Sequence, residues 1–228
     1  MKLTLAGETV YLLPERALFW PRERALIVAD LHVGKADVFR ARGIPIPAGT
    51  SAQTFDRLSH ALVHANALSQ TVTERLIILG DFFHAKESMN ASTLNALQAW
   101  RGLHPSIDIT IVEGNHDQHA GTKKLALTHG IRIVDEPFEI TPFTFAHHRP
   151  ETATDSAYTL YGHIHPCIFL RSNVDRLRVP CFVFGPQSGV LPAFGAFTGG
   201  HVITPSPNET VYGIADTIII KMPAAQKR

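Results

Sequence analysis

Cysteine is scarce in this sequence. The 228 residues include two cysteines, Cys167 and Cys181, which are too few for a disulfide framework or for a zinc site built from thiolates. We therefore expect both to be reduced and partly buried thiols. The scarcity also leaves nitrogen and oxygen as the ligand atoms of any metal site.

Long apolar runs and an excess of charge are also missing. No run of about 18 apolar residues occurs, so no transmembrane helix is predicted. Residues 1–16, MKLTLAGETVYLLPER, reach polar residues at once, and we expect no signal peptide, no membrane association and a cytoplasmic location. The formal net charge is +1. This excludes the strongly basic surface that dominates nucleic-acid binding, although local basic patches are compatible with it.

The apolar pattern predicts an α/β fold. The chain is 45% hydrophobic, which is enough for a sizeable core. Up to residue 130, predicted strands at 8–13, 17–20, 24–30, 75–81 and 108–114 alternate with predicted helices at 51–68, 91–103 and 122–130. Beyond residue 130 the predicted elements are strands, among them 138–148 and 158–165. We predict a single α/β domain over residues 1–228, with two packed sheets and helices outside.

Histidine is abundant, with 13 copies, and several stand where a predicted strand ends. Five apolar runs are each followed at once by metal-capable side chains. These residues are Asp30, His32, Asp81, Asn115, His116, Asp117, His147, His148, His163 and His165. Because ligands bind beyond the carboxyl ends of strands in open α/β sheets, we expect these side chains to meet at one site.

Seven of these residues form the predicted metal site: Asp30, His32, Asp81, Asn115, His147, His163 and His165. Imidazole, carboxylate and amide oxygen suit Mn²⁺, Fe or Zn²⁺, and seven ligands suit two ions about 3.5–4 Å apart that share a carboxylate. Only Asp30 and Asp81 are anionic, so two divalent cations leave positive charge for a hydroxide and a phosphate ester. We take Mn²⁺ as the first choice, with Fe or Zn²⁺ as alternatives.

The order of these motifs resembles the calcineurin-like metallophosphoesterase superfamily. D-x-H, G-D, G-N-H-D, H and G-H-x-H follow one another between residues 30 and 165. The resemblance implies a four-layer α/β/β/α sandwich and a role for each ligand. It implies a first ion on Asp30, His32, Asp81 and His165, and a second ion on Asp81, Asn115, His147 and His163. It also implies that His116 faces the substrate phosphate as a catalytic residue, and we expect Asp117 to orient His116.

Four further stretches resemble the bacterial ligase-associated DNA damage response endonucleases, the PdeM-type phosphodiesterases. They are ADLHVGK at 29–35, FRARGIPIPAG at 39–49, GDFFHAK at 80–86 and LPAFGAFTGG at 191–200. This resemblance implies a metal-dependent DNA endonuclease of DNA repair that associates with a DNA ligase and a helicase. The phosphoprotein-phosphatase motifs G-D-x-x-D-R-G and R-G-N-H-E are absent, and the arginines that clamp a monoester are absent with them. We therefore predict a phosphodiesterase.

The sequence leaves several alternatives open. His84 and His148 are candidates for substrate contact or for support of the ligands. Lys35, Arg40 and Arg42 form either a rim that contacts phosphate or a solvated charged face. A phosphodiesterase for cyclic nucleotides or other small diesters fits the same metal motifs, and so does a non-enzymatic scaffold with this fold. The oligomeric state and the choice between DNA and RNA stay open.

Overall fold

The first sheet contains seven strands that lie side by side in chain order. A computed structural model describes residues 1–46, 49–150, 157–171 and 175–223. The strands of this sheet are β1 (Lys2–Leu5), β2 (Glu8–Leu13), β3 (Ala17–Trp20), β4 (Ala25–Ala29), β5 (Arg75–Leu79), β6 (Asp108–Val112) and β7 (Ile131–Val134). Strands β1 to β4 pair antiparallel, whereas β4 to β7 pair parallel. The carboxyl ends of β4, β5 and β6 therefore share one edge of the sheet.

The described helices all lie between residues 35 and 128. They are α1 (Lys35–Ala41), α2 (Thr50–Ser69), α3 (Ala91–Leu103), α4 (Asn115–Ala120) and α5 (Thr122–Thr128), with a short 3-10 helix at Lys86–Ser88. In α2, Phe55, Leu58 and Leu62 recur at steps of three and four residues and bury one face of the helix. Burial of each such side chain contributes about 1.5–3 kcal/mol. None of the described helices is long and apolar enough to cross a membrane.

Strand β4 shows how the first sheet is covered on both faces. Its residues are all fully buried, and alternate ones enter different apolar clusters. Leu26 and Val28 pack with the residues of α2 and α3. Ala25 and Ile27 pack on the opposite face, in a cluster that includes Phe182 of the second sheet. Because side chains alternate along a strand, the helices cover one face of the first sheet and the second sheet covers the other.

The second sheet is built from the second half of the chain. Its strands are β8 (Phe138–Ile140), β9 (Phe143–Phe145), β10 (Tyr158–Tyr161), β11 (Pro166–Arg171), β12 (Arg176–Phe184), β13 (Ser188–Val190), β14 (His201–Val202), β15 (Thr210–Ala215) and β16 (Ile218–Lys221). The order is β14-β11-β12-β13-β10-β9-β8, and β15 pairs with β12 and β16. Strands β9 and β10 are parallel, so the residues that follow them emerge at the same edge.

The prediction of two packed sheets in a mixed α/β fold is confirmed. Trp20 of the first sheet meets Phe143 of the second edge to face, with ring centroids 4.8 Å apart. In the part of the chain that the structure describes, the helices join the cluster on the first sheet. The outer face of the second sheet carries a smaller cluster of strand and loop residues that includes the buried Cys181. The four-layer order therefore stays a prediction.

Several elements differ from the sequence prediction. The strand predicted to stop at Gly114 ends at Val112, and the unpredicted helix α4 begins at Asn115. The Asp117 carboxylate accepts the N–H of Gly114 at the helix start. The strand predicted over 138–148 is divided into β8 and β9. Helix α1 and strands β1, β13 and β15 were not predicted, since each is short or interrupted by polar residues.

Candidate metal centre

The loops that follow β4 and β5 run side by side at the shared edge of the first sheet. The His32 N–H donates to the Asp81 carbonyl over 2.8 Å, which ties the two loops together. Asp30, His32 and Asp81 have φ values of 53°, 45° and 50°. Non-glycine residues rarely adopt this left-handed conformation, which costs about 1–3 kcal/mol each. Here it turns the three side chains into the space between the sheets, where they are at most 4% exposed.

The second sheet supplies the remaining histidines from the loops after β9 and β10. His147 follows β9 and is fully buried. His163 and His165 follow β10 and again have positive φ values, 66° and 51°. The His163 N–H donates to the Asp30 carboxylate over 2.9 Å. This hydrogen bond joins the two sheets at the site.

A first group of ligand atoms surrounds the His32 ring. Atoms of Asp30, His32 and His165 lie within 4.8 Å of one another. His32 Nε2 is 3.3 Å from His165 Nε2 and 3.6 Å from the Asp81 carboxylate. Burial strongly lowers the pKa of His32, and the neighbouring His165, Lys35, His116 and His84 lower it further. His32 is therefore neutral, which is the form that binds a metal.

A second group surrounds the His147 ring. Its Nδ1–H donates to the Leu79 carbonyl over 3.1 Å, so the lone pair of Nε2 faces the site. Asn115 Oδ1 lies 3.0 Å and His163 Nδ1 lies 3.1 Å from that nitrogen. The Asp81 carboxylate is 3.5 Å away. Asp81 is therefore next to both groups, as a residue that bridges two ions must be.

The donor set fits two divalent cations. Carboxylate oxygens of Asp30 and Asp81 lie within 4.8 Å of each other and of a His147 nitrogen, and all three residues are buried. Two charged carboxylates at this distance repel each other, and a cation that both of them bind removes that repulsion. The surrounding nitrogens and amide oxygen are ligands that Mn²⁺, Fe and Zn²⁺ accept. The structure brings all seven predicted ligands to this one place.

Two glycines make this close approach feasible. A Cβ at Gly80 would lie 2.1 Å from His147 Nδ1, and φ at Gly80 is 75°. A Cβ at Gly114 would lie 2.4 Å from the Asp81 carboxylate. Any side chain at Gly80 would displace His147, and any side chain at Gly114 would displace Asp81. Both positions therefore require glycine.

His116 faces the site from the start of α4. Its backbone N–H donates to the Asp81 carboxylate over 2.9 Å. Its Nδ1 lies 2.6 Å from the His84 carbonyl, and a carbonyl can only accept, so Nδ1 carries the hydrogen. His116 Nε2 lies 3.9 Å from Asp81 on the open side of the site. The carbonyl thus engages Nδ1, and Nε2 is the ring nitrogen on the side of Asp81.

Comparison with known proteins places the chain in a family. No protein-family model and no curated protein matches it. Among solved structures, the nuclease MPE of Pseudomonas putida matches with a TM-score of 0.80 and 36% identity, covering 97% of this chain and 99% of that chain. This chain belongs to the family of nuclease MPE. A protein of unknown function from Aquifex aeolicus, AQ665, is 16% identical over 62% of this chain and 78% of that chain, with a TM-score of 0.41, which is too weak to bear on fold or function.

In this member of the nuclease MPE family, Asp117 has a structural position. Its carboxylate accepts hydrogen bonds from the backbone N–H groups of Phe82, Phe83 and Gly114 and from the Thr122 hydroxyl. Burial raises the pKa of Asp117 to about 6, although the backbone hydrogen bonds act to lower it. Within the described residues no contact joins Asp117 to the His116 ring, which is held by His84 instead. The structure thus gives the Asp117 carboxylate other partners than the His116 ring, and an orienting role for Asp117 stays a prediction.

The two histidines left open by the sequence both line the site. His84 stacks on His116 with ring centroids 4.8 Å apart, and its Nδ1 is 3.4 Å from His32 Nδ1. Burial lowers the pKa of His84 to about 4, with help from Lys35, His116 and Arg42. His148 has its ring 4.7 Å from that of His163.

Glu136 is a site residue that sequence reasoning missed. Its carboxylate accepts the backbone N–H groups of His147 and His148 and lies 2.7 Å from His148 Nδ1. Burial acts to raise the pKa of Glu136, but these hydrogen bonds outweigh it and lower the pKa. A lone glutamate before a proline carries no local signal of such a role, because its partners lie 11 and 12 residues away.

The three basic residues of the predicted rim have different surroundings in the structure. Lys35 lies close to the site: burial lowers its pKa, while Asp81 and Asp30 act to raise it. Arg40 instead pairs with Asp37 one turn earlier in α1 and donates to the Ile46 carbonyl. Arg42 is exposed near His84. Of the two alternatives left open for Arg40, these contacts within and beside α1 favour a structural role over a phosphate contact.

Proposed function

We propose that this protein is a metal-dependent phosphodiesterase that cleaves nucleic acid, with DNA as its substrate. Two findings support the proposal: the family relationship to a nuclease and the convergence of buried carboxylates and imidazoles at one site. The convergence carries the argument. Asp30 and Asp81 are buried within 4.8 Å of each other, and cations at this place would offset the repulsion between their charges.

The proposed ligand sets follow the two groups of contacts. Asp30, His32, Asp81 and His165 would hold one ion, and Asp81, Asn115, His147 and His163 the other. Mn²⁺ is our first choice, with Fe or Zn²⁺ as alternatives. Two such ions neutralise charge on a phosphate and lower the pKa of water at the site. The protein fixes the ligands through left-handed loops and through hydrogen bonds such as that from His147 to Leu79.

His116 is proposed as the catalytic proton carrier. The His84 carbonyl holds the hydrogen on Nδ1 of the neutral ring, so Nε2 is the nitrogen that accepts or, once protonated, donates. A proton given by Nε2 to the leaving oxygen would stabilise the departing alkoxide. His84 supports this by stacking on the ring and by accepting, through its carbonyl, the hydrogen bond from Nδ1–H.

The basic groups at the site favour a diester over a monoester. Among the described residues Lys35 is the cation whose charge is felt by Asp30 and Asp81, and no arginine forms an ion pair there. A monoester dianion carries one more negative charge than a diester, and that charge would need a further cation at the site. The near-neutral net charge also suits a small diester, which is the second candidate substrate class. The strained backbone of the proposed ligand residues argues against a non-enzymatic scaffold, because such strain clusters at active sites.

We extend the proposal to the calcineurin-like metallophosphoesterases and their four-layer sandwich. The motif order between residues 30 and 165 supports it. The resemblance to ligase-associated DNA damage response endonucleases supports a role in DNA repair beside a DNA ligase and a helicase, in the cytoplasm. These assignments rest on the sequence motifs.

One experiment tests the proposed function. The protein is purified without added metal, its metal content is measured, and cleavage of single-stranded and duplex DNA is followed with each metal restored. We expect two ions per chain and cleavage with Mn²⁺, faster on single strands because a flexible strand can bring its phosphate to the ions. A protein that binds no metal, or that binds two ions and hydrolyses only a cyclic nucleotide, would contradict it.

A further inference from the structure

A second pocket opens beside the proposed metal centre. It has a volume of about 170 Å³ and lies between the turn after β2, strands β11 and β12, and the loop at 193–200. His165 forms one wall, and Arg16, Arg178 and Thr198 form others. His165 Nε2 is also 3.5 Å from the Asp30 carboxylate. The pocket and the metal centre therefore share His165 as a common wall.

Arg16 is a partly buried cation with no acidic partner. Its Nη1 donates to the carbonyls of Ala193 and Gly195, at 3.2 and 3.5 Å. Burial lowers the pKa of Arg16, and only the Cys167 thiol acts in the opposite direction. In the described parts of the chain no carboxylate lies within 4.0 Å of its guanidinium. Because a desolvated cation is costly without a counter-charge, Arg16 indicates an anion in this pocket.

Two further residues of the pocket, Thr198 and Arg178, also suit an anion. Thr198 Oγ1 is fully buried and has no hydrogen-bond partner among the described residues, although buried hydroxyls are nearly always satisfied. Arg178 is exposed on β12 and lines the pocket opposite it. No acidic residue lines the pocket. Two guanidinium groups and a hydroxyl are donors suited to phosphate oxygens.

The size of the pocket limits its ligand. Pockets that enclose whole small molecules hold roughly 300 Å³ or more, and this one is about 170 Å³. It can take one charged group but not a nucleoside.

We propose that this pocket binds the phosphate of a nucleic acid strand that adjoins the scissile phosphate, so that the substrate is a polynucleotide. The inference rests on the proposed function and deepens it. A single diester would occupy only the metal centre, whereas a strand would occupy both positions. Arg16 and Thr198 would hold the adjoining phosphate from inside the pocket, and Arg178 from its mouth.

The test compares Arg178→Ala and Thr198→Val with Arg176→Ala. Arg176 is a neighbouring arginine of β12 that stacks on Phe169 and does not line the pocket, so its removal controls for charge. For each full-length variant, kcat/KM is measured on a single-stranded oligonucleotide and on bis(p-nitrophenyl) phosphate. The ratio of the two should fall about tenfold or more in Arg178→Ala, as expected for hydrogen bonds to a charged group. The salt slope on the strand should fall by about 0.7.

A pair of short substrates isolates the adjoining phosphate. Wild type should cleave a dinucleotide faster when it carries an additional terminal phosphate at the end that reaches the pocket. Arg178→Ala should lose this preference, and Arg176→Ala should keep it. Equal rates with and without the phosphate at either end, or equal losses on strand and small diester, would overturn the subsite while leaving a phosphodiesterase. Wild type that binds two ions but hydrolyses neither substrate would overturn the proposed function instead. Thermal melts of each variant exclude loss of folding.

Discussion

The floor and the rim of the proposed metal centre are built differently. We define the floor as four of the proposed ligands, Asp30, His32, Asp81 and His147, and the rim as His84, His116 and His148, which are not proposed as ligands. Floor residues are at most 4% exposed and sit where strands end. Rim residues are partly or well exposed, and several are held by neighbouring residues, as His116 is by the His84 carbonyl.

From this difference we infer different roles for the floor and the rim. The floor brings two carboxylates together at a place where water cannot screen them, so it is unfavourable until cations bind. The rim holds partly exposed imidazoles that a substrate can reach. We therefore expect floor substitutions to change metal content and stability, and rim substitutions to change rate.

Asp81→Asn should have the largest effect. Asp81 adjoins both ligand groups, so its loss should reduce metal content and activity together, by more than the roughly 10–100-fold typical of residues behind the ligands. The metal-free variant should also melt higher than metal-free wild type, because one of two adjacent buried charges is gone. A gain on the order of 1 kcal/mol corresponds to about 2–4 °C at this chain length.

Asp108→Asn is the matched control for Asp81→Asn. Asp108 is exposed at the far end of β6 and should change neither metal content nor activity. If Asp81→Asn keeps two ions and normal activity, Asp81 does not bridge and the floor is misassigned.

His116→Ala tests the rim. We expect unchanged metal content and a kcat lowered by roughly 10²–10⁴-fold, the usual contribution of a positioned acid or base. The loss should shrink on a diester whose leaving group needs no proton. His60→Ala, which removes an exposed histidine of α2, should behave as wild type. A parallel loss of metal would place His116 among the ligands and remove the distinction between floor and rim.

Glu136→Gln tests the connection between the two regions. Its carboxylate accepts the backbone N–H groups of His147 on the floor and His148 on the rim. Glutamine can still accept hydrogen bonds but lacks the charge, so we expect metal affinity to fall by roughly 10–100-fold. Titration of the metal-free protein with Mn²⁺ measures it. Glu139→Gln, on exposed β8, is the control, and equal affinities in both variants would show that Glu136 does not support His147.

Arg40→Ala should have the smallest effect. Its guanidinium is held by Asp37 and the Ile46 carbonyl, so we expect a stability loss below about 1 kcal/mol and no change in the salt dependence of DNA cleavage. Arg42→Ala removes an exposed charge near His84 and should lower the salt slope by about 0.7. If Arg40→Ala lowers the salt slope as much as Arg42→Ala does, Arg40 contacts phosphate as well.

The sequence predicts the elements whose pattern is local. Helix α3 occupies the predicted residues 91–103, and α2 extends the predicted helix by one residue at each end, because their apolar residues recur at helical spacing. The strands β4 to β6 are predicted as continuous apolar runs, which is typical of buried parallel strands. The convergence of the ligand residues follows from these strands, since each ligand stands just beyond a strand end.

Other features depend on contacts that no local pattern encodes. Helix α4 is held by Asp117, whose carboxylate accepts the N–H of Gly114 and the N–H groups of Phe82 and Phe83, which are 35 and 34 residues away. The hydrogen bonds from His147 and His148 to Glu136 likewise have no local signal in the sequence. Arg16 and Thr198 meet in one pocket although 182 positions separate their numbers. Such contacts are set by the packing of the two sheets.

The left-handed conformation of five proposed ligand residues has a consequence for protein engineering and for evolution without selection for activity. Asp30, His32, Asp81, His163 and His165 each occupy a backbone shape that glycine or asparagine adopts more cheaply. A library screened for heat resistance alone would therefore reward their replacement, and a lineage released from selection for activity would lose them early. Thermostable variants of this protein should be sought with these five codons held constant.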